Sequence, residues 1–143
     1  MVRWIFALIV VLVVGLCIYI VLSNRLPEGL GVTDGLLKSC PTSPNCVSTQ
    51  AQPDDTTHYV EPIVYNGERK ATQLKIESLM LTNGDARIVN SELGYVHFEV
   101  KSKLIGYIDD VEFYLPEVDS VVHFRSASRV GHSDLGVNRE RFN

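Results

Sequence analysis

The sequence predicts an α+β protein: an N-terminal transmembrane helix, then a helix packed on a four-stranded antiparallel meander, closed by a short C-terminal helix. Three observations carry that expectation. One long uncharged apolar run opens the chain, one amphipathic stretch near its middle is bounded by helix start and stop residues, and four successive runs then alternate apolar and polar residues.

The first run reads WIFALIVVLVVGLCIYIVL from Trp4 to Leu22, 19 residues without a charge. At 1.5 Å rise per residue it makes roughly 28 Å of helix, about the thickness of a bilayer core. Arg3 and Arg25 flank it, and Trp4 and Tyr19 lie near its ends, as interfacial anchors do. An uncleaved anchor fits better than a cleaved signal peptide, whose apolar core spans about 7–15 residues, or than a buried core helix. The charge bias across the run is weak, so orientation rests on the cysteines that follow.

Residues 26–62 carry Pro27, Gly29, Gly31, Gly35, Pro41, Pro44, Pro53 and Pro62, with Ser, Thr, Asn and Asp between them. This is turn-rich chain, either a spacer or an ordered wrap over the domain. Leu30, Val32, Leu36 and Leu37 favour partial docking. Cys40 and Cys46 lie in CPTSPNC, a spacing that suits a small disulfide ring. Closing seven residues stabilises by about 2.4 kcal/mol in the chain-entropy model. Such bonds persist in oxidising compartments, which places the domain in the periplasm and the anchor in the inner membrane. Two reduced thiols, a redox pair or half a metal site are the alternatives. The three expected units are an anchor at 1–25, the Pro/Gly-rich segment at 26–62 and a globular domain at 63–143.

A helix is expected from about Gly67 to Thr82, with Asn66 at its start, Ala71, Leu74 and Leu81 on one face, and Asn83-Gly84 as its stop. Strands follow near 86–90, 95–102, 107–115 and 120–128. In the second, Val96, Phe98 and Val100 point one way while Tyr95, His97, Glu99 and Lys101 point the other. In the third, Tyr107, Val111, Phe113 and Leu115 share a face with Asp109. One-sided burial predicts a sheet covered on one face and open on the other. Four-residue loops at 103–106 and 116–119 set the registers: Phe98 opposite Val111, Val111 opposite Phe124, Asp110 opposite Arg125, Glu112 opposite His123 and Asp109 opposite Ser126. A slip of two residues preserves the same faces. The last helix is expected from Ser133-Asp134 onward.

These registers gather Glu99, Asp110, Arg125, His97, Glu112 and His123 on the open face. Two imidazoles among carboxylates suggest metal binding or acid–base chemistry, but alternating strands expose such residues for solubility and pairing alone. Neither a metal nor another cofactor is expected. Asp109 on the apolar face needs a partner. Ser126, Ser128 and Arg129 are the nearest, a structural arrangement, with a perturbed catalytic acid as the sharper alternative.

With Arg3 and Arg25 removed, the 13 basic residues fall to 11 against 17 acidic, a net charge of −6 for the part beyond the anchor. That balance repels phosphate backbones and anionic lipid heads, and excludes nucleic acid as a partner.

The blocks LGVTDGLLKSCPTSPNCVST at 30–49, GYIDDVEF at 106–113 and RSASRVGHSDLGVNRERF at 125–142 resemble domain-of-unknown-function family 1499. The resemblance singles out Cys40, Pro41, Asn45, Cys46, Asp109, Asp110, Glu112, Arg125, Ser126, Ser128, Arg129, Asp134, Gly136, Asn138 and Arg139. It implies a bacterial or plastid protein behind a signal or membrane segment, and no activity. His97 and His123 lie outside the blocks. The function expected is a non-enzymatic envelope module holding a protein or small ligand near the bilayer, its membrane contact being residues 4–22. The alternative is a small hydrolase-like enzyme using Asp109 or Asp110, with Glu112 also a candidate, and Arg125 or Arg129 holding an anionic group.

Overall fold

The computed structural model describes residues 2–82, 84–103 and 106–143. Helix α1, Val2–Ser23, has a mean hydropathy of 3.3 and no buried residue, and is long and apolar enough to cross a membrane. Beyond it lie β1 (Cys46–Ser48), β2 (Ile63–Val64), α2 (Arg69–Thr82), β3 (Ala86–Glu92), β4 (Tyr95–Lys101), β5 (Ile108–Tyr114), β6 (Val121–Ser128) and α3 (Val137–Phe142). The expected helix stop at Asn83 and the centre of the 103–106 turn lie outside the described residues.

The sheet has six strands rather than four. Its order is β1-β6-β5-β4-β3, all antiparallel, and β2 joins the same free edge of β6 that β1 occupies further along. Strands β1 and β2 are too short to carry a period-2 signal. They form because β6 offers unpaired backbone groups that must be satisfied. Val47 faces Ser126 and Ile63 faces Val122 across that edge.

Register β4–β5 is as expected, with Phe98 opposite Val111 and Glu99 opposite Asp110. Register β5–β6 differs by two residues: Phe113 lies opposite Phe124, Val111 opposite Ser126, Glu112 opposite Arg125 and Asp109 opposite Ser128. The connection between Tyr114 and Val121 is longer than the four-residue loop expected, and a shift of two leaves every side chain on its own face. Two features favour the observed pairing. The Phe113 and Phe124 rings meet at 5.1 Å between centroids, and Arg125 faces Glu112.

The apolar face holds Val96, Phe98, Val100, Val111, Phe113, Leu115, Val122 and Phe124, with Val47 from β1 and Val60 beside it. Phe98 meets Phe113 edge-to-face at 6.0 Å, and Phe142 of α3 packs on Phe124 at 5.2 Å. Helix α2 covers this face with Ile76 and Met80, not with the expected Ala71, Leu74 and Leu81, which are exposed. The stripe toward the sheet contains a glutamine. Gln73 accepts from the Gly94 N–H at 2.7 Å and donates to the Glu92 carbonyl at 3.0 Å. It thereby closes the β3–β4 hairpin, whose backbone polar groups the helix would otherwise desolvate. Gly94 itself has φ +92°, and a Cβ there would run into the Arg69 guanidinium.

The opposite face is not open. The chain that follows α1 lies over it: the Gly31 N–H of the Pro/Gly-rich segment donates to Glu112 at 2.8 Å, and the carbonyl of Asn24, just before that segment, accepts from Arg129 at 2.8 Å. Cys40 and Cys46 form a disulfide on this face, with Cα atoms 5.7 Å apart, while Cys17 is free. The expectation of a solvated polar face failed because the residues that cover it sit 81 and 105 positions away in sequence and carry no regular pattern.

Candidate functional site

Alternation puts His97 and Glu99 of β4, Asp110 and Glu112 of β5, and Arg125 of β6 on the covered face. All are buried, Glu112 completely and Asp110 to 1% exposure. Buried charges persist only when paired and hydrogen-bonded. Arg129, just past β6, is the hub. Its Nε donates to Asp110 Oδ2 at 2.8 Å, and its Nη2 to Asp110 Oδ1 and Glu99 Oε1, each at 2.6 Å. His97 Nε2 lies 2.8 Å from Asp110 Oδ1, and Arg87 reaches Glu99 Oε2 at 2.5 Å from the edge.

Burial tends to raise the Asp110 pKa, but the hydrogen bonds from Arg129 and His97 outweigh it and hold the carboxyl below its ordinary value. Arg129 is held correspondingly above its own: burial works against the cation, and the two carboxylates more than offset it. Beside this group, Glu112 accepts from Arg125 Nη1 at 3.1 Å and from the Tyr95 hydroxyl at 2.8 Å. Burial, then the Glu112 charge and hydrogen bond, push the Tyr95 pKa far up. Among the described residues, Arg125 Nε is the buried side-chain donor left without a partner.

The sequence-predicted residues therefore divide between two faces. Asp110, Glu112, Arg125 and Arg129 come together, with Glu99 and His97. Asp109 is on the other side, where Arg141 Nη2 meets its Oδ2 at 2.8 Å. Arg141 Nη1 also donates to Ser126 Oγ and Asn138 Oδ1, each at 2.7 Å. Ser126 donates to the same Asn138 oxygen. Asn138 is fully buried and ties α3 down, its Nδ2 reaching the Asn45 carbonyl at 3.1 Å, Ser128 Oγ at 3.0 Å and Asp134 Oδ2 at 2.7 Å. Arg139 donates to the carbonyls of Tyr59, Thr56 and Thr57. Asp109 and Arg129 do not meet, because Arg129 projects from the face opposite Ser126 and Ser128.

His123 stands apart, its Nδ1 3.2 Å from Thr49 Oγ1 and its ring stacked on Tyr114. The two-residue register difference separates it from Glu112. Among the described residues, no three His, Cys, Asp or Glu side chains group as a metal site would. Sequence reasoning missed three participants: Arg87, Tyr95 and Arg141. Arg141 lies in the quoted C-terminal block, and its charge next to the helix face of Asn138 was the available signal.

A cleft of about 280 Å³ opens against the charged group. Its walls are Pro27 and the Lys38–Pro41 stretch of the disulfide loop, and its floor carries Asp110, Arg125 and Arg129. On the far side of that same stretch lies a second cleft of about 320 Å³, which reaches Asp55 and His58. His58 Nδ1 is 2.7 Å from Asp55 Oδ2, and its Nε2 is 3.1 Å from the Ser43 carbonyl. Burial lowers the His58 pKa, but the two acceptors more than restore it and leave it raised.

Fold and site together define a small α+β domain in which paired charges are sealed between a sheet and an N-terminal strap stapled by a disulfide. The family described as "Protein of unknown function (DUF1499)" matches residues 36–143, and the chain belongs to it. No curated protein and no solved structure matches the chain.

Proposed function

We propose that the protein is a membrane-anchored, non-enzymatic binding module whose domain faces the periplasm and whose binding site is the cleft between Lys38–Pro41 and the β5–β6 floor. One observation carries this reading. Arg125 lines the floor of a solvent-accessible cleft while its Nε is covered and unpartnered, a costly arrangement that a ligand drawing the guanidinium toward the cleft would relieve. The disulfide in the loop that walls the cleft supports an oxidising compartment, and the apolar α1 supports the anchor.

The hydrolase alternative is disfavoured by the carboxylates. Asp110 has both oxygens occupied by Arg129 and His97 and a lowered pKa, so it serves poorly as a proton donor or acceptor. Asp109 lies on the opposite face, against Arg141.

Two measurements test the proposal. A tag after Asn143 is reached by protease added to spheroplasts, and protection of the tag there overturns the orientation. Amine labelling of Lys38 is slower in native membranes than in the delipidated full-length protein. Equal labelling in the two overturns occupancy of the cleft.

A further inference from the structure

The cleft is built at one end of α1, and this sets what reaches it. Asn24, the residue after that helix, is fixed to the domain through three bonds. Its Nδ2 donates to the Gly106 carbonyl at 2.9 Å, its Oδ1 accepts from the Ile108 N–H at 3.1 Å, and its carbonyl accepts from Arg129 Nη1 at 2.8 Å. The arginine on the floor of the cleft thus holds the residue that leaves the helix. Twenty-two helical residues rise roughly 33 Å, enough to fill a hydrocarbon core of about 30 Å, so Asn24 and the cleft mouth fall at headgroup level.

The lining is cationic where it is unsaturated. Arg129 on the floor is matched by Asp110 and Glu99, and Arg125 by Glu112, which leaves Lys38, in no salt bridge among the described residues, as the uncompensated cation of the lining. What remains unfilled is all donor: the exposed Lys38 ammonium beyond its one bond to the Glu28 carbonyl at 2.6 Å, and behind it the covered Arg125 Nε, which reaches a ligand once the guanidinium shifts toward the cleft. Donors without acceptors, arranged around a small polar cleft, select an oxyanion.

Building on the reading that the protein is membrane-anchored and that this cleft binds a ligand, we infer that the ligand group is a phosphate and that its source is the phosphodiester of a phospholipid headgroup. The acidic balance of the domain does not oppose this. Its charges are screened over about 8 Å at physiological salt, whereas a phosphate in the cleft contacts Lys38 directly. A zwitterionic headgroup also brings a cation to the acidic surroundings, so phosphatidylethanolamine is the fitting probe.

The experiment uses the delipidated full-length chain in maltoside, titrated by calorimetry with dihexanoyl phosphatidylethanolamine and, separately, with inorganic phosphate. Saturable one-to-one binding of the phospholipid, displaced by inorganic phosphate, is expected. Lys38→Ala, at an exposed position where folding is not at stake, weakens it about tenfold, while Lys70→Ala on α2 leaves it unchanged. Arg125→Lys keeps the charge toward Glu112 but removes the Nε donor, and weakens binding as well. Binding of inorganic phosphate without the phospholipid supports the phosphate site and moves its source to solution. Failure of both ligands to bind, or binding indifferent to Lys38→Ala, overturns the inference. If Lys38 is then still shielded in membranes, the ligand class alone has failed; if it is not, the binding reading has failed with it.

Discussion

Replacing Arg129 by Met removes the cation from beneath two buried carboxylates while keeping most of the side-chain volume. Arg129 donates twice to Asp110, once to Glu99 and once to the Asn24 carbonyl, and its side chain is 3% exposed. Breaking a buried pair by removing one partner costs about 3–5 kcal/mol, because the other charge is left desolvated. Taking about 4 kcal/mol, and about 4 °C per kcal/mol for a domain of this size, Arg129→Met lowers the melting temperature by about 15 °C. Adding Asp110→Asn and Glu99→Gln neutralises the carboxylates left with only His97 and Arg87 and recovers about half of the loss.

The pH dependence gives a second check on the same change. The Asp110 pKa is depressed in the folded protein, so its contribution is present above the unfolded value of 3.8 and is lost as pH falls through the folded one. The gap between wild type and Arg129→Met is therefore full near pH 7 and narrows below about pH 4. Circular dichroism melts of the full-length chain in detergent supply both readouts. A melting temperature within a few degrees of wild type, or a triple variant no more stable than Arg129→Met, refutes the view that these charges stabilise one another.

Further outcomes follow from the other contacts. Glu99→Ala destabilises by about 2–3 kcal/mol, since Glu99 is buried under Arg129 and Arg87 rather than on an open face; an unchanged melt refutes this. Asp109→Ala costs about 1–3 kcal/mol, because Arg141 keeps Ser126 and Asn138 as partners and is partly solvated. Denaturation at equilibrium measures it against Asp109→Asn. The raised His58 pKa means its stabilisation is complete below about pH 6.5 and is lost as pH rises through the folded value, so His58→Gln flattens the melting profile above about pH 6.5. Mass spectrometry of unreduced peptides finds Cys40 linked to Cys46 and Cys17 free, and reduction lowers stability by about 2.4 kcal/mol.

Local pattern made α1, α2 and the four long strands legible. Uninterrupted hydropathy marks a span, and strict alternation in 95–101 assigns each side chain to a face. The same alternation cannot distinguish registers two residues apart, and so Asp110 was matched to Arg125 when Glu112 is its neighbour. Strand β1 is three residues and β2 two, and both are dictated by the free edge of β6, a partner more than 55 positions away. On α2, Leu74 and Leu81 draw the eye as apolar residues, yet the sheet side is set by Gln73, whose amide satisfies the β3–β4 turn. In the candidate site, the quoted blocks contained Asp110, Glu112, Arg125 and Arg129 but could not show that a strap of glycines and prolines would bury them.

That strap explains why so much charge is tolerated inside so small a domain. The apolar core occupies one face of the sheet, and the covering chain on the other is poor in large side chains and rich in backbone. Gly31 and Asn24 offer a peptide N–H and a carbonyl to Glu112 and Arg129, which is what a buried ion pair needs to fill its remaining hydrogen-bonding capacity. An apolar cover would strand those groups, and an apolar sheet face would leave the strap's own peptide groups unpaired. The charges and the irregular segment therefore require each other. Because the strap continues directly from α1, a displacement of Asn24 relative to the sheet loads its bonds to Gly106, Ile108 and Arg129, and Arg129 also floors the cleft. Helix α1, the charge network and the cleft are in this way one mechanical unit, and a lesion in any of them is expected to register in the other two.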